Sequence, residues 1–338
     1  MKMLMITATL AVAMPAGVDA AGWQRIFDGK TLKGWTPKVT GARAGVNWGN
    51  SFKVRNGAIR VDYAGWKRFD KRFGHLAYKR PVGPFRLRFQ YRFFGKTLPG
   101  TEAWQGSNSG AMLLAQSPWS MSRNQEFPVS LEMQLLGADR ADKQPTGNLC
   151  TPGTNVVIGG KLETQHCLLS SSPLMANGRW INVEAEMTRE GRVTHWINGK
   201  TVFQFSDPQY DPTDKDAKPL IRAAGGKLRI RKGYIYLQSE GHPVEFRNIE
   251  LMELKWLQPR RAPRVAASEL AGDFHDRPAD RDVERRAHHA AGRPGRIPRP
   301  AGGSANPGRD GHPARLPSHR HGDLLPERER CRRSGAGV

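Results

Sequence analysis

The stretch Arg86-Leu-Arg-Phe-Gln-Tyr-Arg-Phe93 alternates without a break. Leu87, Phe89, Tyr91 and Phe93 fall on one face, and Arg86, Arg88, Gln90 and Arg92 on the other. A period of two fits an extended strand with one buried face; an amphipathic helix would repeat its apolar positions at three and four. Such a strand is not stable alone, because its apolar face has to be covered by another layer.

The same period returns along the chain. Ile181, Val183, Ala185 and Met187 oppose Asn182, Glu184, Glu186 and Thr188. Asn198-Gly199 separates Val193–Ile197 from Thr201–Phe205, which is the turn chemistry of a two-residue hairpin. Ile235, Leu237 and Ser239 oppose Tyr236, Gln238 and Glu240, and Val244–Phe246 and Ile249–Leu254 give two further strands. No long helical period occurs between Trp23 and Trp256. The expectation is an all-β domain over residues 21–257, a sandwich of two antiparallel sheets. Its size is large for an immunoglobulin-like unit and suits a concanavalin-like jelly roll.

In a curved sandwich, one sheet can present a polar floor. Two strands have the pattern such a floor needs. Val129, Leu131, Met133 and Leu135 are apolar while Ser130, Glu132 and Gln134 project the other way. In the later strand Tyr236 and Gln238 oppose Ile235 and Leu237. A carboxylate, amides and a ring suit a sugar with many hydroxyls. Alternation by itself fits a plain solvated face equally well.

The ends of the chain differ from this middle. Lys2, an apolar run from Met3 to Met14, the breakers Pro15 and Gly17, and Val18-Asp19-Ala20 read as an export signal over residues 1–20. A buried N-terminal strand is the other reading. Beyond Gln258 the chain has 17 Arg, no Lys and one aromatic residue, Phe274. Residues 258–338 cannot bury enough apolar surface to fold and are expected to be a disordered Arg/Pro-rich tail. Arginine, proline and histidine without lysine is what a GC-rich gene gives out of frame, so a frameshift near Gln258 is expected; a genuine basic tail is the alternative. No apolar run reaches the roughly 18 residues that would span a bilayer. Export to the periplasm or the exterior implies an oxidising compartment, where Cys150 and Cys167 read as a disulfide. A metal site of Cys150, His166 and Cys167 lacks the usual zinc spacing. Cys331 has no assigned role.

Several ordered strings carry a resemblance. They are Phe27-Asp-Gly-Lys-Thr-Leu-Lys-Gly-Trp35, Asn108-Ser-Gly110, Ser130-Leu-Glu-Met-Gln-Leu-Leu136, Gly147-Asn-Leu-Cys-Thr-Pro-Gly153, His166-Cys167, Gly233-Tyr-Ile-Tyr-Leu-Gln238 and His242-Pro-Val-Glu-Phe-Arg-Asn-Ile249. Together they resemble the 3-keto-disaccharide hydrolase family over residues 23–255. The resemblance implies a concanavalin-like sandwich in exported bacterial proteins. It also implies cleavage of 3-keto-glycosides by a 1,2-lyase step, followed by hydration of the 3-keto-2-hydroxyglucal. A ketone at C3 acidifies the C2 proton, so the site needs a base, a donor to the enolate oxygen and an acid for the leaving oxygen. Glu132 is the candidate base. His242 or His166 is the candidate acid. Asn108, Gln134, Tyr236, Gln238 and Arg247 are candidates for holding hydroxyls or the enolate. Each also has a plainer reading, as an ion-pair partner, a strand cap or a turn residue.

Asp211, Asp214 and Asp216 resemble a calcium loop only faintly, since Lys215 intervenes and the spacing misses the EF-hand pattern. No cofactor is expected, although the sequence leaves a divalent metal open. Three functions stay in view: the lyase/hydratase acting on a small or oligosaccharide 3-keto-glycoside, a non-catalytic lectin-like module, and a binder of anionic polymer suggested by the formal charge of +22. The export signal and the lack of a known nucleic-acid motif weigh against nucleic acid as a partner. The sequence does not decide the oligomeric state.

Overall fold

A computed structural model describes residues 22–254 apart from Ala141. The expected signal segment, the tail and Cys331 lie outside the described residues. The first strands are β1 (Gln24–Arg25), β2 (Trp35–Val39), β3 (Phe52–Arg55), β4 (Ala58–Val61), β5 (Gly74–Tyr78) and β6 (Phe85–Phe93). The middle of the chain supplies β7 (Asn108–Ala115), β8 (Leu131–Leu136), β9 (Asn148–Cys150), β10 (Thr154–Ile158), β11 (Lys161–Glu163) and β12 (Cys167–Leu168). Then come β13 (Ile181–Met187), β14 (Arg192–Ile197), β15 (Lys200–Tyr210), a short helix α1 (Ala217–Ala223), β16 (Tyr234–Ser239) and β17 (Val244–Glu253).

These strands form two antiparallel sheets, the jelly-roll sandwich that the alternation pointed to. Sheet A runs β11-β10-β15-β14-β13-β6-β17-β4-β3, with β1 added along β17; sheet B runs β12-β9-β8-β7-β16-β5-β2. Between them lies one apolar core. Phe85, Leu87, Phe89, Tyr91 and Phe93 of β6 meet Leu131, Met133 and Leu135 of β8 and Ile235 and Leu237 of β16 in it. The predicted Asn198-Gly199 turn joins β14 to β15, with Asn198 in the left-handed region at φ 48°.

The outer face of sheet A carries a lattice of paired charges. Arg88 pairs with Glu250 at 2.6 Å, Arg92 and Arg60 both reach Glu245 at 2.7 Å, and Arg86 pairs with Glu184. The two strands expected at 244–246 and 249–254 are one strand, β17, with a shift of register between Arg247 and Glu250. Asn248 there has φ 52°, so the bulge bends the strand without ending it. The helix was not foreseen. Asp214 Oδ1 accepts the amides of Asp216 and Ala217 at its head, and Asp211 Oδ1 accepts the Thr213 amide. Among the described residues no group of His, Cys, Asp and Glu is placed to hold a metal ion. No helix among them is long and apolar enough to cross a membrane.

Candidate active site

The side chains of sheet B that point away from the core form two rows. Lys38 of β2 pairs with His75 of β5, and His75 with Gln238 of β16. Leu237 pairs with Ala111, which brings Gln238 opposite Gly110 of β7; Gly110 pairs with Gln134 of β8, and Gln134 with Asn148 of β9. The second row runs Thr36, Ala77, Tyr236, Met112, Glu132 and Cys150. Paired residues share a face, so the polar groups of the first row and Glu132 of the second stand together on one floor.

Gly110 is the centre of this arrangement. A Cβ there would meet Glu132 Oε1 at 2.7 Å and Cγ at 2.8 Å. The glutamate therefore leans out of its own row and lays its carboxyl group over the bare backbone of β7. Gly110 is the neighbour of Gln238 in the first row, so the carboxyl group lies over the strand next to Gln238. Both amide atoms of Gln238 are buried and lack a hydrogen-bond partner among the described residues. Such a group costs about 1–3 kcal/mol unless something satisfies it. Gln134 is differently engaged, its Oε1 accepting from Asn148 Nδ2 at 3.0 Å.

Residues 116–130 form a strap that walls the floor on its β16-β5-β2 side. Tyr236 donates its hydroxyl to the Gln116 carbonyl at 2.7 Å. Gln116 Oε1 accepts from the Val129 amide and from Gln125 Nε2, both at 2.8 Å. The Gln125 carbonyl accepts from Thr40 Oγ1, and the Arg123 carbonyl accepts from the Gly41 amide and from Lys38 Nζ at 3.2 Å. Burial lowers the Lys38 ammonium to about 8. Phe127 of the strap packs edge-on to His75 at 6.0 Å and against Phe73, on which Trp104 stacks from the opposite loop.

Asn108 stands on the same face of β7, its Nδ2 donating to the Trp104 carbonyl and its Oδ1 buried without a partner among the described residues. His242 does not stand on the floor beside it. Its Nδ1 accepts from the Ser107 amide at 3.0 Å and is 2.8 Å from Thr97 Oγ1, while its ring packs edge-on to Phe93. An accepting Nδ1 leaves the proton on Nε2. Burial lowers the ring to about 4, with Asp139 opposing weakly, so it is neutral in ordinary buffers. His242 anchors the turn that presents Asn108.

The other expected residues divide. Glu132, Gln134, Gln238, Asn108 and Tyr236 come together around Gly110, although the Tyr236 hydroxyl is spent on the strap. Arg247 is elsewhere: β17 belongs to sheet A, and Arg247 lies on its outer face, 3.9 Å above the Trp180 ring and bonded to Gln90. His166 is half-buried at the edge of sheet B, with its carbonyl accepting from Thr151. Cys150 and Cys167 are bridged, joining β9 to β12. His75 and Lys38 were not anticipated. A depression of about 220 Å³ on the outer face of sheet A offers no rival site: there Gln90 bonds Asn182 and Arg88 bonds Glu250, so its polar groups are already satisfied.

A family model described as a 3-keto-alpha-glucoside-1,2-lyase-like domain matches residues 22–252. Among solved structures, a proposed glycosyl hydrolase from Parabacteroides distasonis is similar at 19% identity over 72% of this chain and 99% of its own, with a TM-score of 0.42. A carbohydrate-binding module from Bacillus subtilis is similar at 9% identity over 65% of this chain and 96% of its own, with a TM-score of 0.36. No curated protein matches the chain.

Proposed function

The chain belongs to the family of 3-keto-alpha-glucoside-1,2-lyase-like domains, and on that premise we propose that the floor of sheet B cleaves 3-keto-glycosides. Glu132 takes the proton from C2. The electron pair of that bond moves toward the C3 ketone, giving an enolate whose oxygen the Gln238 amide receives. The enolate collapses with loss of the C1 oxygen, leaving a C1–C2 double bond conjugated with the ketone. His75, beside Gln238 in the same row, supplies the proton to the departing oxygen. Water then adds at C1 and a proton returns to C2, so the net change is hydrolysis. Asn108 and Gln134 hold hydroxyls at the margin of the ring, and Lys38 closes the row with a positive charge.

The observation that carries this reading is Gln238, a buried amide with neither atom bonded, flanked by a carboxylate that a glycine has made room for. The bridge between Cys150 and Cys167 supports export to an oxidising compartment. The test is incubation with a 3-keto-glucoside, following free aglycone and the absorbance of the enone. Glu132→Gln should lower turnover by at least about 10²-fold, as expected for loss of a general base. Gln238→Ala should lower it as well, by removing the donor to the enolate oxygen. Binding of the sugar by the unmodified protein with no turnover would replace this reading with the lectin-like one.

A further inference from the structure

A second place on the molecule has the chemistry of a binding site, and it lies off the floor. Residues 63–72 read Tyr-Ala-Gly-Trp-Lys-Arg-Phe-Asp-Lys-Arg, with aromatic and basic residues interleaved. The chain sorts them. Tyr63 and Phe69 turn inward and are buried, while Lys67 and Arg68 are exposed. Asp70 and Lys71 both adopt left-handed backbone, at φ 49° and 53°, and this sharp bend returns the chain to β5.

Trp66 is half-buried between the two sets. Its ring meets Trp48 edge-on at 4.6 Å and Tyr63 at 5.1 Å, and its Nε1 donates to the Gly49 carbonyl at 3.0 Å. Gly49 has φ 60°, and a Cβ there would come within 2.4 Å of Trp66 Nε1, so only glycine lets the indole lie against this turn. Arg72 covers one face of Trp48 at 4.0 Å while donating to the Thr40 carbonyl at 3.3 Å. What remains is a groove of about 360 Å³ lined by Trp48, Gly49, Gly65, Trp66, Lys67 and Arg68. That is the size of a small-ligand site.

The groove walls are indole rings, suited to the C–H face of a pyranose. Its lip carries two exposed cations, Lys67 and Arg68, against one carboxylate, Asp70, which is 3.0 Å from Arg68. Tyr63, Phe69 and Phe73 pack in series between the groove and the floor, so the two places do not share a ligand ring. We propose that this groove binds an acidic glycan, a pyranose carrying a carboxylate or sulfate, as an attachment site separate from the site on sheet B. The proposal does not depend on the reaction proposed above.

The test measures tryptophan fluorescence and calorimetric titration of the full chain with a trigalacturonate, a sulfated trisaccharide and neutral maltotriose. One of the two acidic sugars should bind about tenfold or more tightly than maltotriose, a difference of about 1.4 kcal/mol. Raised salt should weaken that binding and leave maltotriose unaffected. Whichever acidic sugar binds identifies the anion. The Lys67→Gln, Arg68→Gln double variant alters only exposed side chains and should abolish the preference while leaving the melting temperature unchanged. Trp48→Phe should retain binding and Trp48→Ala should lose it. Equal binding of acidic and neutral sugars, no binding of any, or a double variant with unaltered affinity would overturn the proposal.

Discussion

Gly110 has backbone dihedrals open to any residue, yet a methyl group at that position would collide with Glu132 Oε1 and Cγ. The colliding atoms belong to a flexible side chain, so the fold can give way where the site cannot. Gly110→Ala should therefore keep the melting temperature within a few degrees while lowering turnover by about tenfold or more, since misplacement on the ångström scale is costly to catalysis. A variant with full turnover would mean that the position of the carboxyl group over β7 is immaterial. The buried rings of His242 and His195 make a second prediction. Burial lowers both to about 4, from 6.5 in the unfolded chain. As pH falls below 6.5 the unfolded chain takes up protons first. Stability is thus whole above pH 6.5 and declines through pH 4, by roughly 3 kcal/mol for each ring. Urea unfolding at pH 7 and at 4.5 measures this, and a flat profile between them would refute it. At this scale the sequence showed Glu132, Gln134 and Gln238, because their strands contrast a polar with an apolar face. It hid His75, because in Gly-His-Leu-Ala-Tyr of β5 one histidine and an alanine stand against glycine, leucine and tyrosine, which offers no such contrast. Lys38 was hidden by its edge strand, only five residues long and interrupted by Pro37.

Alternation tells which way a residue faces on its strand but not which sheet the strand joins. Gln238 and Arg247 lie nine positions apart, yet β16 belongs to sheet B and β17 to sheet A. The turn between them, Glu240-Gly-His-Pro243, carries the chain from one layer to the other, and Gly241 at φ 98° permits the change. Sheet membership is decided by long-range pairing, β17 with β6 above all, and no local pattern records it. The edge formed by β9 and β12 gives a test at the level of elements. Replacing Cys150 and Cys167 by alanine should lower stability by about 3 kcal/mol, the loop-closure contribution for a ring of this length. Thiol labelling of the unreduced protein should modify neither residue. Labelling of both would show that the bridge does not form in solution.

The two sheets close their core within residues 22–254, with Phe89, Tyr91, Leu131 and Leu237 all buried in one cluster. A chain limited to those residues should consequently melt within a few degrees of the full chain. A large drop would mean that other segments complete the core. Phe89→Ala, at the centre of the sandwich, should cost about 3–5 kcal/mol and register first in unfolding rather than in substrate specificity. The row that contains Glu132 continues through Cys150 to Cys167, and these two are bridged. The proposed base is thus held from the side by a covalent bond that the protein cannot make for itself in every cellular compartment. Protein produced in a reducing cytosol would carry every residue of the site and still lack that bridge. An assay on such a preparation would report the history of the sample rather than the chemistry of the sequence, and a negative result from it would send the search for the substrate in the wrong direction.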